Sequence, residues 1–119
     1  MYCLDTYALV EISEENGLYD KILEADFVVT SPTMAEFYLI MYTKFNEKTA
    51  NYWFKRLKPS CVNPDEDIWI KAVKFRYEHK SENLSIFDCI GYIYSVENGC
   101  LFVTGDKEFK NKKGVEFIK

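Results

Sequence analysis

The sequence predicts an α/β fold in which a parallel sheet of four or five strands is covered on both faces by helices. Two patterns carry the prediction. Short apolar runs rich in β-branched residues, such as "FVVT" and "LFVT", recur along the chain, and segments with helical periodicity separate them. Length adds a third condition. The 119 residues, 48% of them hydrophobic, can fill one core but not two, so residues 1–119 read as one domain.

Taken in order, Tyr2–Leu4 reads as a short first strand that Asp5 ends. Tyr7–Ser13 reads as a short helix, and a second turn or helix follows Gly17 around Leu18–Leu23. Phe27–Thr30 is the next strand. Ser31 as N-cap and Pro32 in the first turn then open a helix. Within it Met34, Phe37, Tyr38, Met41, Tyr42 and Phe45 recur at i, i+3, i+4, i+7, i+8 and i+11 and form one apolar stripe. A further helix covers about Glu47–Leu57, where Pro59 stops it, and Ser60–Asn63 is a weak third strand. Pro64 and Asp65 start a helix that runs to about His79. Ser85 opens the last long helix, with Ile86, Cys89, Ile90, Ile93 and Tyr94 on one face and Asn98–Gly99 at its end. Leu101–Thr104 is the fourth strand and Val115–Ile118 a short fifth.

Composition excludes several classes. No apolar run approaches the roughly 20 residues that cross a bilayer, and the N-terminus lacks the basic region of a signal peptide. The cysteines at 3, 61, 89 and 100 form no CxxC pair and sit among apolar neighbours, which reads as buried free thiols in a cytoplasmic protein. No phosphate-cradling glycine motif is present. The lone His79 lies in the charged run "YEHKSEN" and reads as a solvated surface residue, which leaves serine or cysteine nucleophiles without a base. A net charge of −4 argues against a generic basic nucleic-acid binder. A metal site would weaken that argument, because four acids bound to a cation leave the rest of the chain neutral.

Parallel sheets place their working sites beyond the carboxyl ends of the strands, at a topological switch point. Four acids fall where this rule looks. Asp5 follows the first strand, Asp106 follows the fourth, Glu36 lies early in the helix after the second, and Asp88 lies in the first turn of the last long helix. Bland readings exist for each. Thr33-x-x-Glu36 and Ser85-x-x-Asp88 match capping boxes, Asp5 can cap the helix at Tyr7, and Asp106 can simply shape the turn it makes with Gly105. Asp65, Glu66 and Asp67 form a rival cluster that reads as helix-start acids. Joint occurrence favours a site. Two carboxylates about 5 Å apart repel by roughly 3 kcal/mol at an effective dielectric near 20, and no arginine adjoins Asp5, Glu36 or Asp88 in the sequence. Mg²⁺ or Mn²⁺ is the natural neutraliser for oxygen ligands of this kind. Such ions position water for attack on phosphodiesters.

"YCLDTYAL", "SPTMAEFYL", "LSIFDCIGYIYSVENG" and "LFVTGDKEF" resemble, in order and spacing, the motifs of PIN-domain ribonucleases, and most closely the VapC-type toxins of toxin–antitoxin modules. The resemblance implies a three-layer α/β/α domain with strand order 3-2-1-4-5. It also implies a Mg²⁺- or Mn²⁺-dependent endoribonuclease acting on RNA, a homodimer, and a cognate antitoxin as inhibiting partner. Carried over by motif, Asp5, Glu36, Asp88 and Asp106 are the catalytic and metal-binding quartet. Thr6 and Thr104 match hydroxyls beside the first and last acids, and with Lys107 they are the expected substrate contacts. Tyr7, where a small polar residue is common, and Glu108, where a second Asp is frequent, depart from the pattern. The alternatives are a non-catalytic PIN-like RNA-binding or scaffold module, which an intact quartet argues against, and a receiver-type signalling domain, which lacks its paired acids here. Further cations that could track phosphates are Lys44, Lys48, Lys55, Arg56, Lys110, Lys112 and Lys113. The aromatic set Phe37, Tyr38, Met41, Tyr42, Tyr52, Trp53 and Phe54 exceeds what one core readily hides, and suggests a groove for a partner segment.

Overall fold

A computed structural model describes all 119 residues. Its elements in chain order are β1 (Tyr2–Leu4), α1 (Thr6–Ser13), α2 (Asp20–Leu23), β2 (Phe27–Thr30), α3 (Ser31–Lys44), α4 (Glu47–Leu57), β3 (Cys61–Val62), α5 (Glu66–Glu78), α6 (Ile86–Glu97), β4 (Leu101–Thr104) and β5 (Val115–Phe117). All five strands are parallel and lie in the order β3-β2-β1-β4-β5, with Cys3 opposite both Val28 and Phe102. The chain leaves β1 toward one edge through β2 and β3, then returns to the other side of β1 as β4 and β5. Neighbouring β1 and β4 therefore flank the point where the winding reverses, and a crevice opens there beyond their carboxyl ends. No helix is long and apolar enough to cross a membrane.

Side chains alternate across a strand, so β4 serves two cores. Val103 joins Leu4, Leu9, Phe37 and Met41 in the layer built on α1, α3 and α4. Phe102 joins Ile68, Ile90, Tyr92 and Phe109 in the layer built on α5 and α6. Gly91 lets α6 lie close to β4, since a Cβ there would stand 2.9 Å from the Phe102 ring.

Several local expectations change. Thr30, not Ser31, caps α3, its hydroxyl accepting from the Thr33 N–H. Thr33 is thus already inside the helix and forms no capping box with Glu36. The α3 stripe divides: Met34, Phe37 and Met41 are buried, whereas Tyr42 and Phe45 are about half exposed at 49% and 54%. Tyr42 lies at the edge of the stripe, about 100° round the helix from Met41, and Phe45 is the C-cap residue beyond the last turn. On α6 the buried face is Cys89, Ile90, Tyr92 and Ser95, with Ile93 and Tyr94 at its margin. Cys61 is half-buried, and Cys3, Cys89 and Cys100 are buried. His79 is less open to solvent than its charged neighbours suggest. It ends α5 half-buried, stacked on Phe75 at 4.1 Å, with its Nδ1 2.8 Å from the Phe75 carbonyl.

Candidate active site

Asp5 terminates β1 and caps α1, and its own N–H continues the sheet by donating to the Val103 carbonyl at 3.1 Å. One carboxylate oxygen, Oδ1, accepts the Ala8 N–H at 2.8 Å. The other, Oδ2, is buried with no partner in good hydrogen-bonding geometry, although the Thr104 hydroxyl lies near enough to favour the charged carboxylate. Capping accounts for half of this side chain and leaves the other half unexplained. A buried acceptor without a well-placed partner is costly unless something else binds it.

The remaining acids lie near the same strand ends, close enough for their charges to act on one another. Asp88 stands in the first turn of α6, where Ser85 caps through the Phe87 N–H. Glu36, half-buried in the second turn of α3, accepts the Thr6 hydroxyl proton on Oε1. Asp106 follows β4 and caps a short turn, its Oδ1 accepting the Glu108 N–H at 3.0 Å. Their proximity is visible in their electrostatics. Asp5 is pushed up to about 7, mainly by burial, with further pressure from the Asp106 and Glu36 charges and partial relief from the Thr104 hydroxyl and the Ala8 N–H. Asp88 is pushed up to about 8 by burial and then by Asp5, Glu36 and Asp106. None of the four ion pairs of the molecule involves any of these acids. The crevice therefore unites the quartet in one electrostatic neighbourhood with no protein counter-charge. It does not draw three of the carboxylates into a ready coordination group.

The expected hydroxyls are engaged in the frame of the site. Thr6 is buried against Glu36. Thr104 is fully buried, and its Oγ1 accepts the Asp106 N–H at 3.0 Å. Lys107 is exposed and forms no ion pair with Asp106. The rival acids stay apart: Asp65 caps α5 through the Ile68 N–H at 3.1 Å, and Glu66 and Asp67 line that helix's first turn.

One contact leaves little trace in the sequence. A Cβ at Gly105 would lie 2.0 Å from Cε1 and 2.5 Å from Cδ1 of Tyr7. Gly105 does not have a positive φ. It is glycine because the Tyr7 ring occupies the space of a side chain, not because the turn demands it. The aromatic residue two after Asp5 and the glycine before Asp106 were the only signals of this pairing.

Comparison with known proteins agrees with the geometry. Among curated proteins no sequence matches significantly. A toxin–antitoxin complex from Klebsiella pneumoniae contains a chain similar to this one, with a TM-score of 0.77 and 20% identity over 98% of this chain and 96% of that one. VapC20 of Mycobacterium tuberculosis, a sarcin-ricin loop cleaving toxin, aligns over 100% of both chains with a TM-score of 0.79 and 12% identity. VapBC-1 from nontypeable Haemophilus influenzae aligns over 99% of this chain and 96% of that one, with a TM-score of 0.75 and 16% identity. At these identities the likeness is one of fold. The sequence model of the PIN domain matches residues 2–115. With the 3-2-1-4-5 parallel sheet and an acidic crevice at its switch point, the chain belongs to the PIN domain family.

Proposed function

We propose that this protein is a divalent-metal-dependent endoribonuclease and the toxin of a toxin–antitoxin pair, acting in the cytoplasm. The observation that carries the reading is the buried Oδ2 of Asp5, without a well-placed partner, inside a cluster of acids that has no counter-cation. Asp5, Glu36, Asp88 and Asp106 offer hard oxygen donors that suit Mg²⁺ or Mn²⁺. When bound, such an ion supplies charge neutralisation, a polarised phosphoryl oxygen and a more acidic water. The chain's own part is positional. Thr6 holds Glu36, Thr104 holds the backbone of Asp106, and burial of Asp5 and Asp88 disfavours their bare charges, which a bound cation would neutralise in place of a proton. Lys107, exposed directly after Asp106, is the substrate contact most available to an RNA phosphate.

Partnership draws support from the neighbouring structures, two of which are toxin–antitoxin complexes. A groove of about 720 Å³ runs between α3 and α4, lined by Met34, Ala35, Tyr38, Phe54 and Lys58 among others. Ala35 places its rim beside Glu36. An apolar antitoxin segment lying there would reach the acidic crevice, and an arginine from it would compete with the cation. The exposed apolar residues Trp69, Ile70, Val73 and Tyr77 along α5 favour a homodimer.

The reading is tested by incubating purified protein with single-stranded RNA in Mg²⁺, Mn²⁺ or EDTA. Cleavage should require the ion and should disappear in Asp88→Asn with the fold intact. Undiminished cutting in EDTA rejects it.

A further inference from the structure

We infer that Tyr7 is a positioning residue whose ring, seated against Gly105, sets the spacing between Asp5 at the end of β1 and Asp106 at the end of β4. The inference rests on the reading of these acids as cation ligands, and it concerns a residue that has no ligand atom of its own in that set.

Asp5 is fixed twice, by its N–H to Val103 and by its Oδ1 from Ala8. Asp106 sits on a turn with two polar ties, its N–H to the Thr104 hydroxyl and its Oδ1 from Glu108. Both ties lie within the segment Thr104–Glu108, so neither fixes the turn relative to α1. Tyr7 supplies that third tie. It stands in the first turn of α1, two residues after Asp5, and its ring fills the space above Gly105, the residue before Asp106. The ring is half-buried. Its backbone belongs to α1 and its ring edge packs on the turn. A rigid planar group wedged between two ligand-bearing segments makes their separation a property of ring thickness instead of loop flexibility.

The glycine completes the contact. Gly105 is buried and has no positive φ, and the three atoms nearest to a methyl group there all belong to the Tyr7 ring. The two residues form one device. Because carboxylates without a cation repel, a turn free to drift would open the site, and a clamped turn keeps Asp106 within reach of Asp5. Outer groups that orient ligands in this way change metal affinity by about 10- to 100-fold when removed.

The test uses full-length Tyr7→Ala, Tyr7→Phe, Gly105→Ala and the double variant Tyr7→Ala/Gly105→Ala. Mn²⁺ affinity is measured by isothermal titration calorimetry, with the melting temperature of the metal-free protein recorded in parallel. Tyr7→Phe keeps the ring and should bind Mn²⁺ within about twofold of wild type. Tyr7→Ala should bind about tenfold more weakly while remaining folded. Gly105→Ala expels the ring and should lose affinity similarly, and the double variant should match Tyr7→Ala alone, because both changes break the same contact. Wild-type affinity in Tyr7→Ala overturns the inference, as do losses that multiply in the double variant. Should Tyr7→Ala fail to fold, Tyr7→Leu keeps apolar bulk without the planar ring, and wild-type affinity there overturns it equally. A wild-type protein that binds no Mn²⁺ rejects the inference together with the metal-nuclease reading. Unaltered binding in a metal-competent Tyr7→Ala rejects the inference alone.

Discussion

Asp5 uses its two carboxylate oxygens for different ends: Oδ1 starts a helix, and Oδ2 is kept buried without a well-placed partner. Asparagine is as good an N-cap as aspartate, so Asp5→Asn should preserve α1 while removing a charge that the fold disfavours. We expect RNA cleavage to vanish and the metal-free variant to melt higher than wild type, read by circular dichroism. A lower melting point would mean that the charge is stabilising and the cluster is not crowded. Thr104 tests the frame in a complementary way. Thr104→Val keeps the shape but removes the acceptor of the Asp106 N–H, which should cost about 1–3 kcal/mol in a denaturant titration. Asp5 and Asp106 were legible because a strand end is visible locally. The Tyr7–Gly105 contact was not, since it joins residues from the two ends of the chain and glycine before an acid reads equally well as a turn.

At the scale of elements, α3 and α4 show how periodicity underdetermines use. The sequence marks seven aromatic and apolar residues here, and the fold divides them. Phe37 and Met41 are core, Trp53 packs its edge on Phe37 at 6.1 Å with Arg56 5.0 Å from its ring, and Tyr42, Tyr52 and Phe54 remain exposed. Trp53 is therefore a support of the wall, while Phe54 and Tyr38 line the groove. We expect Phe54→Ala to weaken inhibition by a co-purified antitoxin by tenfold or more, with the melting temperature nearly unchanged. Trp53→Ala should instead destabilise the fold. Equal inhibition of Phe54→Ala and wild type would move the partner elsewhere. The cations divide likewise: Lys112 is tied to Glu82 at 2.8 Å and Lys44 to Glu14 at 3.0 Å, whereas Lys107 has no acidic partner. Lys107→Ala should lower RNA affinity and reduce the slope of affinity against salt by about one. An unchanged slope removes it from the phosphate path.

For the whole molecule, strand order decides function. Apolar runs and helical stripes were enough to predict a parallel sheet, but which strands lie together is set by long-range pairing that periodicity cannot report; the order came from family resemblance. With β1 beside β4, four acids from separate segments meet at one edge, and the cost of that meeting is measurable. Asp5 and Asp88 bind protons more tightly folded, at about 7 and about 8, than unfolded, near the ordinary value of about 4. The stability they contribute is full below pH about 4 and is lost as pH rises through 7 to 8. Metal-free protein should thus be less stable at pH 8.5 than at pH 5, by an amount on the order of a few kcal/mol. The most direct test is thermal melting at pH 8.5 with and without Mn²⁺, beside the same pair at pH 5. If the cluster is built for a cation, Mn²⁺ raises the melting temperature strongly at pH 8.5, weakly at pH 5, and little in Asp5→Asn. A wild-type melting temperature indifferent to both Mn²⁺ and pH would contradict the account.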